Sequence, residues 1–248
     1  MRLDGTTLIL TGASRGIGRA LAIRLARRGV RLVLNARSED LLAETAAATR
    51  EIGVRTEYVT GDAATADTCR KLVTTAQDTG GFHGFIHAAG LLHPGPLVHE
   101  LAERDFDAVM DASVKAAWQL ASRAYPLLSE TGSGLAVFFG SGASEIAQPG
   151  IGAYCVAKAA EEHLMRQLAA EVPAVTALVY RPGIVETRMQ EQARQAEGGG
   201  AENLHGVFRP WKEQGLLISP EDAADGLLAY LERDHDALHG RVLDVRDL

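Results

Sequence analysis

Residues 7–18 read TLILTGASRGIG, and this stretch decides the fold. Its first five residues, Thr7–Thr11, are apolar or β-branched and too few for a helix, so they predict a buried strand. Glycines follow at positions 12, 16 and 18, and apolar residues then recur at helical spacing up to residue 28. A strand, a glycine-rich turn and a helix in this order predict a βαβ unit with a right-handed crossover and a parallel sheet.

The same alternation of strands and helices continues to the end of the chain. Further strands are predicted at residues 32–34, 54–59, 84–87, 135–139, 175–180 and 241–245. Helices are predicted between them at residues 65–79, 101–129 and 151–171, after an N-cap at Ser38, and from an N-cap at Ser219 to about residue 233. No repeat or linker interrupts the pattern. The fold class is therefore α/β, with about seven parallel strands and helices on both faces, in one domain over residues 1–248.

The composition is that of an ordinary globular protein. The chain has 248 residues, 46% of them hydrophobic and 23% charged, with a formal net charge of −7. This acidic balance argues against a nucleic-acid or anionic-membrane partner. No apolar run reaches the ~18 residues of a membrane span, and the opening, Met1 to Gly5, lacks the core of a signal peptide. Two cysteines without CxxC spacing favour a reduced, cytoplasmic setting.

One irregular stretch covers residues 189–215 and contains Gly198-Gly199-Gly200. Consecutive glycines are costly to order, so this segment is expected to be mobile, as a lid over the site. The alternative is a tolerated surface insertion.

The glycine loop after the first strand suits a phosphate ligand. Glycines permit a tight turn and close approach of the backbone, and the helix that follows offers free N–H groups at its N-terminus. The spacing is Gly-x-x-x-Gly-x-Gly, which differs from the commonest dinucleotide fingerprint. An ordinary βα turn is the alternative, and the strand–loop–helix context makes it the weaker interpretation.

Five motifs together resemble the short-chain dehydrogenase/reductase family. TGASRGIG (Thr11–Gly18) resembles its TGxxxGxG motif, and HAAG (His87–Gly90) resembles its NNAG motif. Asp62 follows the third strand, Tyr154 and Lys158 form a YxxxK motif after Ser141, and Pro182-Gly183 with Thr187 resembles PGxxxT. The resemblance covers nearly the whole chain. It implies a Rossmann-type doubly wound fold, a nicotinamide cofactor and hydride transfer. The cofactor-binding positions it implies, together with the Arg37 discussed below, are Gly12, Ser14, Arg15, Gly16, Ile17, Gly18, Arg37, Asp62, Ala63, Ala88, Ala89, Gly90, Tyr154, Lys158, Pro182, Gly183, Val185 and Thr187.

The end of the second strand predicts NADP(H) as the cofactor. An acidic residue there binds the ribose 2′-hydroxyl of NAD, whereas an arginine accommodates the 2′-phosphate of NADP. This chain has Arg37 at that position, and Arg15 in the glycine loop can approach it. Two guanidinium groups suit a dianionic phosphate. The alternative is that both are solvated surface residues.

Tyr154 is the candidate general acid or base. Tyr154 and Lys158 are four residues apart on a predicted helix and therefore share a face. An ammonium nearby would lower the phenol pKa from its usual value of about 10, which suits proton exchange with a carbonyl or alcohol oxygen. Ser141 would hydrogen-bond the same oxygen. Ser144 is the alternative serine, and Ser141 is preferred because its offset from Tyr154 matches the family.

Two positions depart from the family pattern. Ser113 stands where the family usually has an asparagine that supports a proton relay, so Ser113 is a candidate catalytic residue whose relay is in doubt. A serine can still bond locally and maintain a helix irregularity. His87 replaces the first asparagine of NNAG. It is either a structural histidine or a group that adds a limb to the pH profile.

Several other residues are of types that form metal, nucleophilic or interface sites. His83, His87, His93 and His99 are not expected to bind a metal, because His83 and His87 lie at opposite ends of a strand. Cys155 is expected to pack and not to react. Trp118 and Tyr125 serve either the core or an interface, and the resemblance implies a homodimer or homotetramer.

The function predicted from these features is NADP(H)-dependent reduction of a ketone or aldehyde, with a small carbonyl or alcohol substrate. The family's carrier-protein ketoreductases and its sepiapterin and benzil reductase branch share the motifs, and neither fixes a substrate. A non-catalytic NADP(H)-binding regulator or scaffold is the alternative. A nucleotide-sugar isomerase or dehydratase is disfavoured, because only about sixty residues follow Thr187.

Overall fold

A computed structural model describes residues 3–233 and 237–248; Met1 and Arg2, part of the opening stretch considered above, lie outside it. Its centre is a seven-stranded parallel sheet in the order β3-β2-β1-β4-β5-β6-β7. The strands are β1 Thr7–Thr11, β2 Arg31–Ala36, β3 Thr56–Thr60, β4 Gly84–His87, β5 Leu135–Phe139, β6 Thr176–Arg181 and β7 Val242–Asp244. The predicted Rossmann-like α/β fold is therefore confirmed, with strand ends shifted by one or two residues.

Helices cover both faces of the sheet. They are α1 Gly16–Ala26, α2 Glu39–Glu51, α3 Ala66–Asp78, α4 Glu103–Met110, α5 Ala116–Glu130, α6 Gly152–Glu171, α7 Arg188–Arg194, α8 Ala201–Glu213 and α9 Pro220–Leu231. Successive residues of β1 feed opposite cores: Leu8 and Leu10 pack with α1 and α9 residues, whereas Ile9 packs with α3 and α5 residues. Burial on both faces explains the continuous apolar strands of the sequence.

The strand order places a crevice beside β1. The chain runs outward from β1 to β2 and β3, then returns to β4 on the other side. Thr11 at the end of β1 pairs with His87 at the end of β4, so the loops that follow both strands emerge together. Ligands of such sheets bind at this switch point, outside the carboxyl ends of the strands.

Three local predictions are corrected. The helix predicted over residues 101–129 starts at Glu103 and is interrupted by a π-helical turn, Asp111–Lys115, before α5. The stretch predicted to be irregular, 189–215, contains α7 and α8. Ser38 occupies the N-cap of α2 but makes no side-chain capping bond.

The N-cap of α9 is confirmed. Ser219 Oγ accepts a hydrogen bond from the Asp222 backbone N–H at 3.0 Å, and the Asp222 carboxylate reaches back to Ser219. This reciprocal arrangement follows from Ser, Pro and Asp at the first, second and fourth positions of the motif. Among the helices of the described residues, none is long and apolar enough to cross a membrane.

Candidate active site

A cavity of about 980 Å³ lies at the switch point of the sheet. The predicted positions that line it are Gly12, Ser14, Arg15, Gly16, Ile17, Gly18, Arg37, Asp62, Ala63, Ala88, Ala89, Gly90, Tyr154, Lys158, Pro182 and Thr187. The fold thus brings most of the residues from all five motifs to one cleft.

The glycine loop forms a tight cradle at the base of this cleft. Gly12 has a φ of +70°, and a Cβ there would lie 2.7 Å from the Ala88 carbonyl oxygen. A Cβ on Gly18 would collide with the Gly12 carbonyl oxygen. Thr11 Oγ1 accepts hydrogen bonds from the Ala88 and Ala89 N–H groups, at 3.2 and 3.3 Å, which ties the two loops together. Only glycine permits this approach of loop to loop, and the N-terminus of α1 faces the cleft.

Two of the arginines that line the cleft lack an acidic partner in the part of the chain that the structure describes. Arg15 and Arg37 are exposed, and no ion pair joins either to an acidic residue within residues 3–233 and 237–248. Asn35, one position before the end of β2, donates its side-chain N–H groups to the Val59 and Gly61 carbonyls, at 2.9 and 3.1 Å. The end of β2 therefore offers the cleft guanidinium groups and no carboxylate. Asp62 also lines the cleft, and its Oδ1 accepts from the Ala64 N–H at 2.9 Å.

Tyr154 and Lys158 lie one turn apart on α6 and both line the cavity. Tyr154 is half-buried, and the Lys158 Nζ lies 5.8 Å from the centroid of its ring. Lys158 is nearly fully buried and donates to the Phe139 carbonyl oxygen and to Glu161 Oε2, each at 2.7 Å. An ammonium has three N–H bonds, so one remains for the cleft.

The Ser141 loop is held by a buried ion pair. Glu162 Oε1 accepts from the Ser141 backbone N–H at 3.3 Å and from Arg181 Nε at 2.9 Å. Arg181 also donates to Ser144 Oγ at 2.9 Å. The Ser141 hydroxyl accepts from the Ala143 N–H at 3.2 Å, which leaves its own proton free to donate. Ser141 itself is half-buried beside Gly140, which lines the cavity, and Ser144 is committed to structural bonds.

The two departures from the family pattern are both buried beside Lys158. Ser113 lies inside the π-helical turn, so the helix irregularity expected there is present. Its Oγ makes no hydrogen bond within the described residues. His87 is fully buried, and its Nδ1 lies 2.9 Å from Thr11 Oγ1. Burial and then the Lys158 charge lower the pKa of His87 to about 3, so this histidine adds no limb to a pH profile near neutrality.

Glu161 is a residue that sequence reasoning missed. It is fully buried, it is bound to Lys158, and burial raises its pKa to about 7 against the opposing effect of the Lys158 ammonium. Burial alone would lower the pKa of Lys158, but the Glu161 carboxylate reverses this and holds that pKa above its usual value. The only available signal was the three-residue spacing from Lys158, which places both residues on one helix face.

Helix α7 contributes both apolar and charged side chains to the roof of the cleft, since Met189 lines the cavity together with Arg188 and Glu191. Residues of α7 and α8 pack with Leu92, Ile151 and Cys155 in one cluster, with Tyr154 and Met189 against it. Cys155 is therefore a packing residue, and burial raises the pKa of its thiol. Met189 lines the cavity beside Leu91 and Leu92.

The triple glycine serves close packing of three backbones. The Gly200 N–H donates to the Gly95 carbonyl, and the Gly95 N–H donates to the Gly150 carbonyl, each at 2.8 Å. A Cβ on Gly200 would collide with the Gly150 backbone, and one on Gly95 with the Glu197 carbonyl. The close approach of the three backbones explains why glycine occupies these positions. Motion of the segment stays a prediction.

The remaining predicted positions have structural roles. Val185 is buried and bridges to Ile218, and Gly183 has a φ of +78° beside Val245; neither lines the cavity. No group of three metal-ligating side chains occurs within the described residues. Tyr125 packs against Phe85, with ring centroids 6.4 Å apart, whereas Trp118 is 52% exposed.

A phosphate-bearing dinucleotide fits this donor set. The cradle that a Cβ would fill, the N-terminus of α1 and the unpaired guanidinium groups all favour anionic oxygens. Tyr154 and Lys158 line the same cavity.

The sequence is similar to a known family model and to characterised members of that family. The family model described as short chain dehydrogenase matches residues 6–198. The chain is 32% identical over 203 residues to an NADPH-dependent aldehyde reductase-like protein of Arabidopsis thaliana chloroplasts, covering 75% of each chain. It is 31% identical over 187 residues to an NADPH-dependent pterin aldehyde reductase of the same plant, covering 74% of this chain and 76% of that one.

Solved structures share the fold over nearly the whole chain. A short-chain dehydrogenase/reductase from Saccharomyces cerevisiae is 29% identical, with a TM-score of 0.84 and 98% and 97% of the two chains covered. A carveol dehydrogenase from Mycobacterium avium, solved with NAD, has a TM-score of 0.85 at 22% identity and covers 98% and 97%. With a family model matched over most of its length and the motif residues gathered in one cleft, this chain belongs to the short-chain dehydrogenase/reductase family.

Proposed function

We propose that the protein is an NADP(H)-dependent reductase of ketones or aldehydes, with Tyr154 as the general acid. The observation that carries the proposal is the shared cavity: Tyr154, Lys158, the glycine loop, Arg15 and Arg37 all line it. The two NADPH-dependent relatives from Arabidopsis thaliana support the choice of cofactor and of substrate class.

When bound, NADP(H) exchanges a hydride with the substrate carbon. Tyr154 then donates its hydroxyl proton to the carbonyl oxygen, and Ser141 donates a hydrogen bond to that oxygen. Lys158, with one N–H left, would hold the nicotinamide ribose. Arg15 and Arg37 would hold the 2′-phosphate, and the N–H groups at the start of α1 would hold the diphosphate.

Three apolar side chains of a lining that also includes charged groups favour carbonyl substrates with an apolar side. Leu91, Leu92 and Met189 line the cavity near Tyr154, and burial of apolar substrate surface against them is worth roughly 25 cal/mol per Å².

We further propose a homodimer or homotetramer in the cytoplasm, formed through α5 and α6, since Trp118 and Val156 on these helices are 52% and 49% exposed.

The cofactor assignment is tested by replacing Arg37 with serine. Loss of a charge-assisted contact costs about 1.5–3 kcal/mol, so KM for NADPH should rise roughly 10- to 100-fold while KM for NADH changes little. Arg27→Ser, which removes an exposed charge at the end of α1, is the matched control. A wild-type protein that prefers NADH would contradict the assignment.

A panel assay separates the proposed enzyme from a non-catalytic binder. NADPH absorbance is followed with ketones and aldehydes of increasing apolar size. Turnover with apolar carbonyls is expected. Stoichiometric NADPH binding without turnover over the panel would support the regulator or scaffold, for which Ser113 in place of asparagine is the specific observation.

A further inference from the structure

The backbone of Ser141 is tied at two points to one buried ion pair. Its N–H donates to Glu162 Oε1 at 3.3 Å, and its carbonyl oxygen accepts from the Ser144 hydroxyl at 2.8 Å. That hydroxyl in turn accepts from Arg181 Nη2 at 2.9 Å. The side chains of Glu162 and Arg181 are only 2% and 9% exposed. The proposed reaction makes no direct use of either charge.

Arg181 and Glu162 meet in a two-pronged contact. Arg181 Nε lies 2.9 Å from Glu162 Oε1, and Arg181 Nη2 lies 2.7 Å from Glu162 Oε2. Two parallel bonds of this kind fix the direction of both side chains, which a single charge contact does not. A buried ion pair is weak evidence for added stability, because the loss of hydration offsets the attraction of the charges. The fixed direction of its bonds is therefore its more informative property.

The residue before Ser141 leaves room for this contact. A Cβ on Gly140 would lie 2.5 Å from Glu162 Oε1 and 2.4 Å from Val179 Cγ1, so a side chain there would displace the pair. Gly140 itself lines the cavity. The carboxylate thus reaches the backbone at the point where β5 ends and the site begins.

The ion pair joins the loop that carries Ser141 to the helix that carries Tyr154. Glu162 lies on α6, one turn after Lys158 and two turns after Tyr154. Arg181 is the last residue of β6, and Ser141 follows β5. A shift of the loop relative to α6 would break the bonds of Ser141 to this pair.

We propose that Arg181 and Glu162 are positioning residues that fix Ser141 relative to Tyr154. The proposal rests on the proposed function, in which the hydroxyls of Ser141 and Tyr154 meet the same carbonyl oxygen. A hydrogen-bond donor is most effective in the transition state when its position is set before the substrate binds. Because one helix supplies both Glu162 and Tyr154, the pair holds the two donors in a fixed relation.

Glu162→Gln breaks the contact with little change in volume. The amide oxygen can still accept hydrogen bonds, but the amide NH₂ then faces a guanidinium nitrogen of Arg181, a donor against a donor. Arg166→Gln is the matched control, because Arg166 is an exposed cation 3.8 Å from the same carboxylate.

The test is a double-mutant cycle with Ser141→Ala, measured as kcat for a carbonyl substrate from the panel. Glu162→Gln should lower kcat roughly 10- to 100-fold when the Ser141 hydroxyl is present, because the donor is misplaced. In the Ser141→Ala background the same change should lower kcat by less than about threefold, since the group that it positions is gone. Arg166→Gln should match the wild type. A merely structural role would lower kcat equally in both backgrounds.

A second measurement needs neither substrate nor turnover. Hydrogen exchange of a peptide covering residues 140–148 reports how firmly the Ser141 loop is held, and a peptide from β2 reports global stability. Glu162→Gln should speed exchange in the first peptide about tenfold and leave the second unchanged, because losing a bond to a charged group frees only the loop. If Glu162→Gln does not fold, Arg181→Lys replaces the two-pronged guanidinium by a single ammonium and carries the same expectations.

An unchanged kcat, an equal loss of kcat in the two backgrounds, or unchanged exchange of residues 140–148 would overturn the proposal. A wild type that reduces no carbonyl would count against the proposed function instead. The exchange measurement then still decides whether the ion pair holds the Ser141 loop.

Discussion

Tyr154 is held in the cleft by packing against two apolar clusters, one that includes residues of α7 and α8 and one formed by Val109, Ala153 and Ala157. It is half-buried, with its ring against the apolar cluster of α7 and α8 and the Lys158 ammonium on one side. Substitution by phenylalanine keeps this packing and removes only the hydroxyl. The variant therefore separates proton transfer from cofactor binding.

Tyr154→Phe should lower kcat by about 10²- to 10⁴-fold, because a positioned general acid contributes that much. The Kd for NADPH, measured by quenching of protein fluorescence, should stay within about threefold of the wild type, since the unpaired arginines and the glycine loop are untouched. Substantial residual turnover would remove Tyr154 from the mechanism.

Individual site residues could be predicted from the sequence where a motif fixes both the residue types and their spacing. Tyr154, Lys158 and the glycine loop were predicted together and line one cavity. Glu161 was not predicted, because a glutamate in an amphipathic helix normally marks the solvent side. Its burial depends on β4 and the π-helical turn, which come from distant parts of the chain.

At the scale of elements, the roof of the cleft shows what local sequence cannot predict. Gly198–Gly200 indicated a mobile stretch, yet two helices form around it, with Leu204 and Phe208 buried. Gly95 and Gly150, in two other loops, approach this segment so closely that a Cβ on Gly200 would overlap the Gly150 backbone. Strands and capping boxes are set by neighbouring residues, so they could be predicted from the sequence. The close approach of three loops depends on residues far apart in the chain, so it could not.

Gly200→Ala should destabilise the protein by about 1–3 kcal/mol, because its Cβ would overlap the Gly150 backbone. Thermal unfolding should show a Tm lower by roughly 2–4 °C per kcal/mol, and proteolysis should cut the segment between α7 and α8 first. Gly206→Ala is the control: it is exposed within α8, with no atom within 4 Å of the added Cβ, and should be neutral or stabilising by about 0.5–1 kcal/mol. Equal behaviour of the two variants would rule out the packing role of Gly200.

At the scale of the whole molecule, two buried groups give stability opposite dependences on pH. The pKa of His87 is lowered to about 3, so its contribution is present above the unfolded value near 6.5 and is lost as pH falls from there toward 3. The pKa of Glu161 is raised to about 7, so its contribution is present below the unfolded value near 4.5 and is lost as pH rises through 7. Between pH 7 and 5 the two effects oppose each other.

Replacing His87 removes one of the two opposing pH dependences of stability. His87→Asn removes the loss on acidification, so its stability relative to the wild type should improve by about 2 kcal/mol between pH 7 and pH 5. Denaturant unfolding at the two pH values measures the difference, and exposed His99→Asn is the control. The same stability difference from the wild type at both pH values would show that His87 is not buried in its neutral form.

If the phenol of Tyr154 and the ammonium of Lys158 serve a hydride transfer in the cleft that the glycine loop completes, hydrogen from the nicotinamide C4 must reach the substrate carbon. The most direct measurement uses NADPH that carries deuterium at both nicotinamide C4 positions, with a carbonyl substrate from the panel and mass analysis of the alcohol. We expect one deuterium on the former carbonyl carbon for each NADPH that the wild type consumes. NADPH bound by the wild type with no deuterium in any product would contradict this expectation.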